Sequence, residues 1–241
     1  MNHNAWPNRI GYRFARRALQ LVSVLVYGIR CNGREHIPAE GGVLVVSNHQ
    51  SHFDPPLVGS CCYRQMGYLA RDTLFGFTPF AWLIESLGAV PFNREGIGLT
   101  GIKETLRRLK RGEMMLMFPE GTRTHDGEVA RFRPGFTTLA VRSRAAILPV
   151  AIEGAFDVWP RWQLLPGRGT IHVRFGPVLT PDEIDNYNEQ ELIEEVERRV
   201  RRCSARLRQH PTFQRSRKWK SCRDTIGRNS RAKREKYRKL S

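Results

Sequence analysis

Short apolar runs bounded by glycines or polar residues alternate along this chain with segments of helical spacing. Gly41 and Gly42 lead into Val43-Leu44-Val45-Val46, apolar at every position, which predicts a strand buried on both faces. Met114 to Phe118 and Ile147 to Ile152 read the same way, Gly88 to Phe92 is a shorter candidate, and Thr170 to Phe175 alternates like a strand near a sheet edge. Between them, a Pro-Pro pair opens a helix from Pro55. Ile102, Leu106 and Leu109 recur at helical spacing up to Arg111, with Gly112 as the stop. Thr137 to Arg144 reads as helical. Pro181 to Leu207 predicts one charged helix, acidic residues first and basic ones last, as the helix dipole favours. Strands alternating with helices predict an α/β fold, a mixed and mostly parallel sheet flanked by helices on both faces.

The two ends differ from this body. Ala18 to Ile29 is apolar and follows Arg13, Arg16 and Arg17. Spanning a bilayer takes about 20 residues, so this segment predicts an amphipathic or shallowly inserted helix, with simple packing on the domain as a close rival. The net charge of +17 is placed very unevenly: residues 1–197 hold 22 Lys and Arg against 21 Asp and Glu, while residues 198–241 hold 18 basic side chains against Asp224 and Glu235. Apolar residues thin out past Pro211, so disorder is expected there, in a polybasic arm whose partner is an anionic surface. The five cysteines are odd in number and show no CxxC pairing, which predicts neither a disulfide framework nor a zinc site and fits a reducing compartment.

Two clusters carry chemistry. Asn48-His49-Gln50-Ser51-His52-Phe53-Asp54 follows a buried strand, where open α/β sheets bind ligands. A tight turn can lay the Asp54 carboxylate on one nitrogen of His49, making the other a better base. On that spacing alone, residues that merely cap neighbouring backbone groups remain the stronger reading. The second cluster, Phe118-Pro119-Glu120-Gly121-Thr122-Arg123, changes the balance. It too follows a buried strand, and its glycine, threonine hydroxyl and arginine fork suit a phosphate, with Glu120 placed to hold Arg123 or a ligand hydroxyl. Val90-Pro91-Phe92-Asn93-Arg94 puts another arginine after a strand. Ile147-Leu148-Pro149-Val150 is a strand with an internal proline, which predicts an edge or a bulge against which an apolar chain could lie.

These four segments, in this order and spacing, resemble the four motifs of the PlsC-like 1-acylglycerol-3-phosphate acyltransferases over roughly Asn32 to Asp185. The first and third, about 70 residues apart, are highly specific. The resemblance implies a glycerol-phosphate acyltransferase-like fold; together with the hydropathy and charge of the two ends, the chain divides into a membrane-associating helix over residues 1–31, an acyltransferase domain over 32–210 and a disordered polybasic tail over 211–241. It implies His49 as general base and Asp54 as its partner, the H-x4-D pair of the family. Arg94, Glu120, Gly121, Thr122 and Arg123 match its acceptor-phosphate positions, and Leu148, Pro149 and Val150 fall in the motif associated with the acyl donor. Asn93 stands where the second motif often has Asp. The implied substrates are lysophosphatidic acid and acyl-CoA or acyl-carrier protein, the product is phosphatidic acid, and no metal or redox cofactor is required. The implied location is the cytoplasmic face of a membrane bearing anionic lipids, as a peripheral or monotopic protein.

Other patterns compete weakly. Gly96 to Gly101 fits G-x-G-x-x-G, but Asn93-Arg94-Glu95 separates it from the strand and the expected ribose-binding acid lies inside the second cluster. His49, His52 and Asp54 match no zinc spacing, and Ser51 lacks the nucleophile elbow. A different lysolipid acceptor is the nearest rival. Nucleic-acid binding through the tail, with Phe213, Trp219 and Tyr237 among its basic residues, is a weaker one because the body offers no basic face.

Overall fold

The computed structural model describes residues 16–17, 20–21, 24–71, 88–92, 99–163 and 165–214. Among these residues seven strands form one sheet: β1 (Arg30–Asn32), β2 (Val43–Ser47), β3 (Met66–Arg71), β4 (Ala89–Phe92), β5 (Met114–Met117), β6 (Ala146–Glu153) and β7 (His172–Phe175). Their order is β1-β7-β6-β2-β5-β3-β4. Every pairing is parallel except that of β6 with β7. The all-apolar run of β2 takes the middle, where both faces are covered. Val43 and Val45 point into one core, Leu44 and Val46 into the other.

Helices cover both faces. On the Val45 side lie α1 (Asp54–Cys61), the short α4 (Ala155–Val158) and the helical turn 24–27, through Leu57, Val58, Val158 and Tyr27. On the Val46 side lie α2 (Leu99–Lys110), α3 (Phe136–Ser143), α5 (Pro181–Ile184) and the long α6 (Glu189–Gln209), through Leu109, Leu139, Ile184, Val196 and Val200. Since β2, β5 and β6 run parallel, with Val46 opposite both Met117 and Pro149, their carboxyl ends open on one edge of the sheet. The loops that carry the two sequence clusters start there.

Several expectations are corrected. The single helix expected over Pro181 to Leu207 is two, because Asn188 starts a new helix in a reciprocal capping box with Glu191, as Thr180 does with Glu183. Strands β1 and β3 carried no clear pattern; β1 is only three residues long, and Gly67 interrupts β3. Pro149 is not on an edge, since β6 lies between β7 and β2. Its missing N–H falls where the ladder to β7 is irregular: Ile147 bridges Leu179, whereas Val150 pairs with Phe175, and the Pro149 carbonyl accepts from the Gly176 N–H between them. Cys31 and Cys61 form a disulfide, because β1 brings one beside the last residue of α1 with a Cα–Cα distance of 6.1 Å. An odd count without CxxC spacing does not exclude a pair made by tertiary structure, so cysteine usage no longer argues for a reducing compartment. Order also continues past Pro211: residues 211–214 are helical, and Phe213 is buried edge-on against His172. Asn93, Arg94, the first glycines of the G-x-G-x-x-G pattern and residues 215–241 lie outside the described residues.

Candidate active site

The segment from Asn48 to Asp54 is tied down at almost every residue. Asn48, fully buried, takes over from β2 where the strand ladder ends: its amide donates to the Ile152 carbonyl (2.9 Å) and accepts the Ile152 N–H (2.8 Å). Gln50 donates to the Gly127 carbonyl (3.0 Å) and accepts the Phe156 N–H (3.2 Å). The Ser51 hydroxyl donates to the Trp159 carbonyl (2.9 Å). That leaves Ser51 a loop-shaping residue, engaged and buried.

Asp54 is the first residue of α1 and has no solvent exposure. One of its oxygens, Oδ2, accepts from His49 Nδ1 (2.8 Å), the Gln50 N–H (2.5 Å) and the Ser51 N–H (2.7 Å). Two backbone donors and the positive end of a helix hold the carboxylate in place. Since the carboxylate faces Nδ1, that nitrogen carries the proton, and Nε2 is the basic atom. The ring stacks on Phe118, with centroids 4.0 Å apart and planes inclined by 16°. A side chain from the second cluster thus fixes the ring's tilt.

The two clusters are laced together through the His49 backbone. Its N–H donates to Glu120 Oε1 (3.1 Å), and its carbonyl accepts the Thr124 N–H (2.8 Å). Glu120 is therefore turned inward under His49, only 3% exposed, while Gly121 and Thr122 are exposed and Arg123 is half-buried against the His52 ring. Gly121 makes the turn at φ 72°, a conformation that L side chains adopt at a cost. The guanidinium of Arg133 lies over it, 3.4 Å from where a Cβ would be. Sequence reasoning missed Arg133; in Arg131-Phe132-Arg133 nothing but charge marks it. Leu148, Pro149 and Val150 are all buried beneath the loops, Leu148 and Val150 in the core. Arg94 is outside the described residues, and among those described no group of three His, Cys, Asp or Glu is disposed to hold a metal.

Burial pushes the Glu120 carboxyl up to about 7, against the pull of the His49 and Ala130 N–H groups. A carboxyl that holds its proton more tightly when folded costs stability as pH rises from its ordinary range toward 7. Glu120→Gln stays neutral and keeps an oxygen for the His49 N–H. Its melting temperature should gain on the parent between pH 4.5 and 7 and run parallel above. Parallel curves throughout would mean that Glu120 is already ionised at pH 5.

A clamp from the far end of the chain completes the site. The Gly127 carbonyl that accepts from Gln50 also accepts from Arg208 on α6 (3.1 Å), which pairs with Glu128 (2.6 Å) and with the buried Glu153 (3.0 Å). A histidine backed by a buried carboxylate thus stands beside an exposed glycine turn with arginines near it. Residues 28–153 match the family model described as Acyltransferase. The chain is a PlsC-like acyltransferase. This acyltransferase is 34% identical over 187 residues to the 1-acyl-sn-glycerol-3-phosphate acyltransferase of Pseudomonas aeruginosa, covering 72% of this chain and 70% of that one. Its identity to the Bacillus subtilis protein of the same name is 30% over 144 residues, 59% of this chain and 71% of the other. The crystal structure of the 1-acyl-sn-glycerophosphate acyltransferase PlsC from Thermotoga maritima superposes on the acyltransferase with a TM-score of 0.70 at 27% identity, covering 84% and 80% of the two chains.

Proposed function

We propose that this acyltransferase transfers a fatty acyl group from acyl-CoA or acyl-carrier protein to the free hydroxyl of 1-acylglycerol-3-phosphate, giving phosphatidic acid. The observation that carries the reading is the His49–Asp54 pair, with Nδ1 occupied at 2.8 Å and Nε2 left to act, laced to the arginine-bearing glycine turn. The acceptor's phosphate sits at Gly121 and Thr122 and is gripped by Arg123, with Arg94 and Arg133 adding charge. Its hydroxyl then meets Nε2. His49 takes the proton as the oxygen attacks the thioester carbonyl, and Asp54 stabilises the imidazolium. Collapse of the tetrahedral intermediate expels the thiolate, which takes the proton back from His49. No acyl-enzyme forms, in keeping with a Ser51 hydroxyl committed to the Trp159 carbonyl. Glu120 positions His49 from below, and Leu148, Pro149 and Val150 serve as the floor of the acyl-donor side. No metal or redox cofactor takes part.

Among the described residues no helix is long and apolar enough to cross a membrane. Leu21, Val24, Leu25 and Val26 nevertheless leave an apolar strip exposed near the amino end. We assign that strip and the polybasic tail to peripheral contact with an anionic, cytoplasmic membrane surface.

The phosphate assignment is tested by Arg123→Lys. Lysine keeps the charge but loses the planar fork, so the KM for the acceptor should rise about tenfold or more while that for the donor changes little. Steady-state kinetics with each substrate varied in turn reads this out. An equal rise for both would mean that the loop itself had been disturbed. A panel of lysolipids offered with both donors identifies the preferred pair.

A further inference from the structure

The loop between α4 and β7 holds two large apolar side chains out in solvent. Trp162 is 63% exposed and Leu165 is 76% exposed. Single exposed apolar residues are ordinary, but two on one short loop are a surface looking for a partner. The loop is braced from behind. Trp162 packs edge-on against Phe156 (5.4 Å), which gives its N–H to Gln50 and lies with its ring against Gly127. The Trp159 indole N–H donates to the Gln163 carbonyl (2.9 Å), and the Gly167 N–H donates to the Val158 carbonyl (2.7 Å). At its base, Trp159 touches Phe53 (4.7 Å) and His52 (5.6 Å), and His52 meets Arg123. The same loop therefore abuts the His49–Asp54 segment at its base and presents Trp162 and Leu165 at its tip.

Its charge says what it faces. Residues 159–169 include Arg161 and Arg168, both exposed, and no acidic residue, and His125 stands beside Arg161 (2.6 Å). A tryptophan and a leucine flanked by arginines match the headgroup layer of an anionic bilayer: an amphipathic ring at the boundary, an aliphatic side chain below it, cations on the phosphates. The exposed strip of Leu21, Val24, Leu25 and Val26 is a second apolar surface on the same protein. We propose that Trp162 and Leu165 form a membrane-docking tip that seats the candidate active site on an anionic lipid surface. This rests on the reading that the acceptor is itself a membrane amphiphile.

The test uses the full chain and its Trp162→Ala/Leu165→Ala double variant, with the acceptor presented in two ways. One form is a long-chain 1-acylglycerol-3-phosphate in phosphatidylglycerol–phosphatidylcholine vesicles; the other is a short-chain acceptor monomeric in water. The double variant should lose at least about tenfold in vesicle co-sedimentation and in activity on the vesicle acceptor. Its kcat/KM on the monomeric acceptor should stay within about twofold, since the tip does not touch the reacting atoms. Trp162→Phe should recover most of the vesicle activity. Equal loss on both acceptors, undiminished vesicle binding, or an altered oligomeric mass with vesicle binding intact would each overturn the proposal. Should the parent turn over neither acceptor, the acyl-transfer reading is what fails, and co-sedimentation of the two proteins still decides the docking tip.

Discussion

His49→Ala should lower kcat by about 10²–10⁴-fold, the usual contribution of a positioned general base, with little change in donor KM. The expectation is large because no neighbour can stand in. Among the groups described around the ring, Phe118 supplies only a stacked face and Asp54 is bound to backbone N–H groups. The fold should survive, because the hydrogen bonds that lace the two loops use the His49 backbone rather than its ring. Circular dichroism and melting temperature check the fold, and single-turnover acyl transfer checks the chemistry. Near-normal turnover would sink the mechanism, and so would a covalent acyl adduct trapped on Ser51.

Asp54→Asn should be nearly as severe, with kcat down by about a hundredfold or more, and it separates charge from shape. One asparagine oxygen can still accept from the Gln50 and Ser51 N–H groups, so the turn is retained. What is lost is the negative charge facing Nδ1 across 2.8 Å, and with it the stabilisation of the imidazolium. The loss should fall on kcat rather than on KM for either substrate. Asp54→Ala should add a loss of melting temperature, because two backbone donors are then left without their acceptor in a buried site. If Asp54→Asn kept its kcat but melted early, Asp54 would be a cap for α1 and nothing more.

Much of this site was legible in the chain before any geometry. A strand, H-x4-D and a second strand ending in Glu-Gly-Thr-Arg predict a base, its carboxylate and a phosphate turn, because short-range turns bring such residues together. The parts that were not legible depend on distant partners. Arg133 reaches Gly121 only after the chain has looped back, and Phe118 meets the His49 ring because β5 lies beside β2. Asn48 reads as one more polar motif residue until Ile152 is set opposite it. The burial of Glu120 escaped for the same reason. A carboxylate beside an arginine in sequence suggested a partner for it, whereas the turn at Gly121 points the two in different directions. The fold shows the same division: β2, β5 and β6 announced themselves by composition, but three-residue β1 is a strand only because β7 pairs with it. The break in the last helix could have been read from Asn188 and Glu191, a capping signature masked by the run of charges around it.

The strand order has a consequence for how the chain is made. Val43 in β2 finds its partners only at Met114 and Ala146, and Arg30 waits for His172. As the chain leaves the ribosome, the apolar strand β2 therefore emerges early and stays unpaired until β5, about 70 residues further on, has been made. Parallel pairings between distant segments form late and slowly, and an exposed apolar strand in that interval invites association with other chains. Arg208, the last of the clamps on the catalytic loop, comes later still. A nascent chain of this kind is a natural client for chaperones that bind apolar segments, and the loop behind His49 is clamped only after α6 has been made.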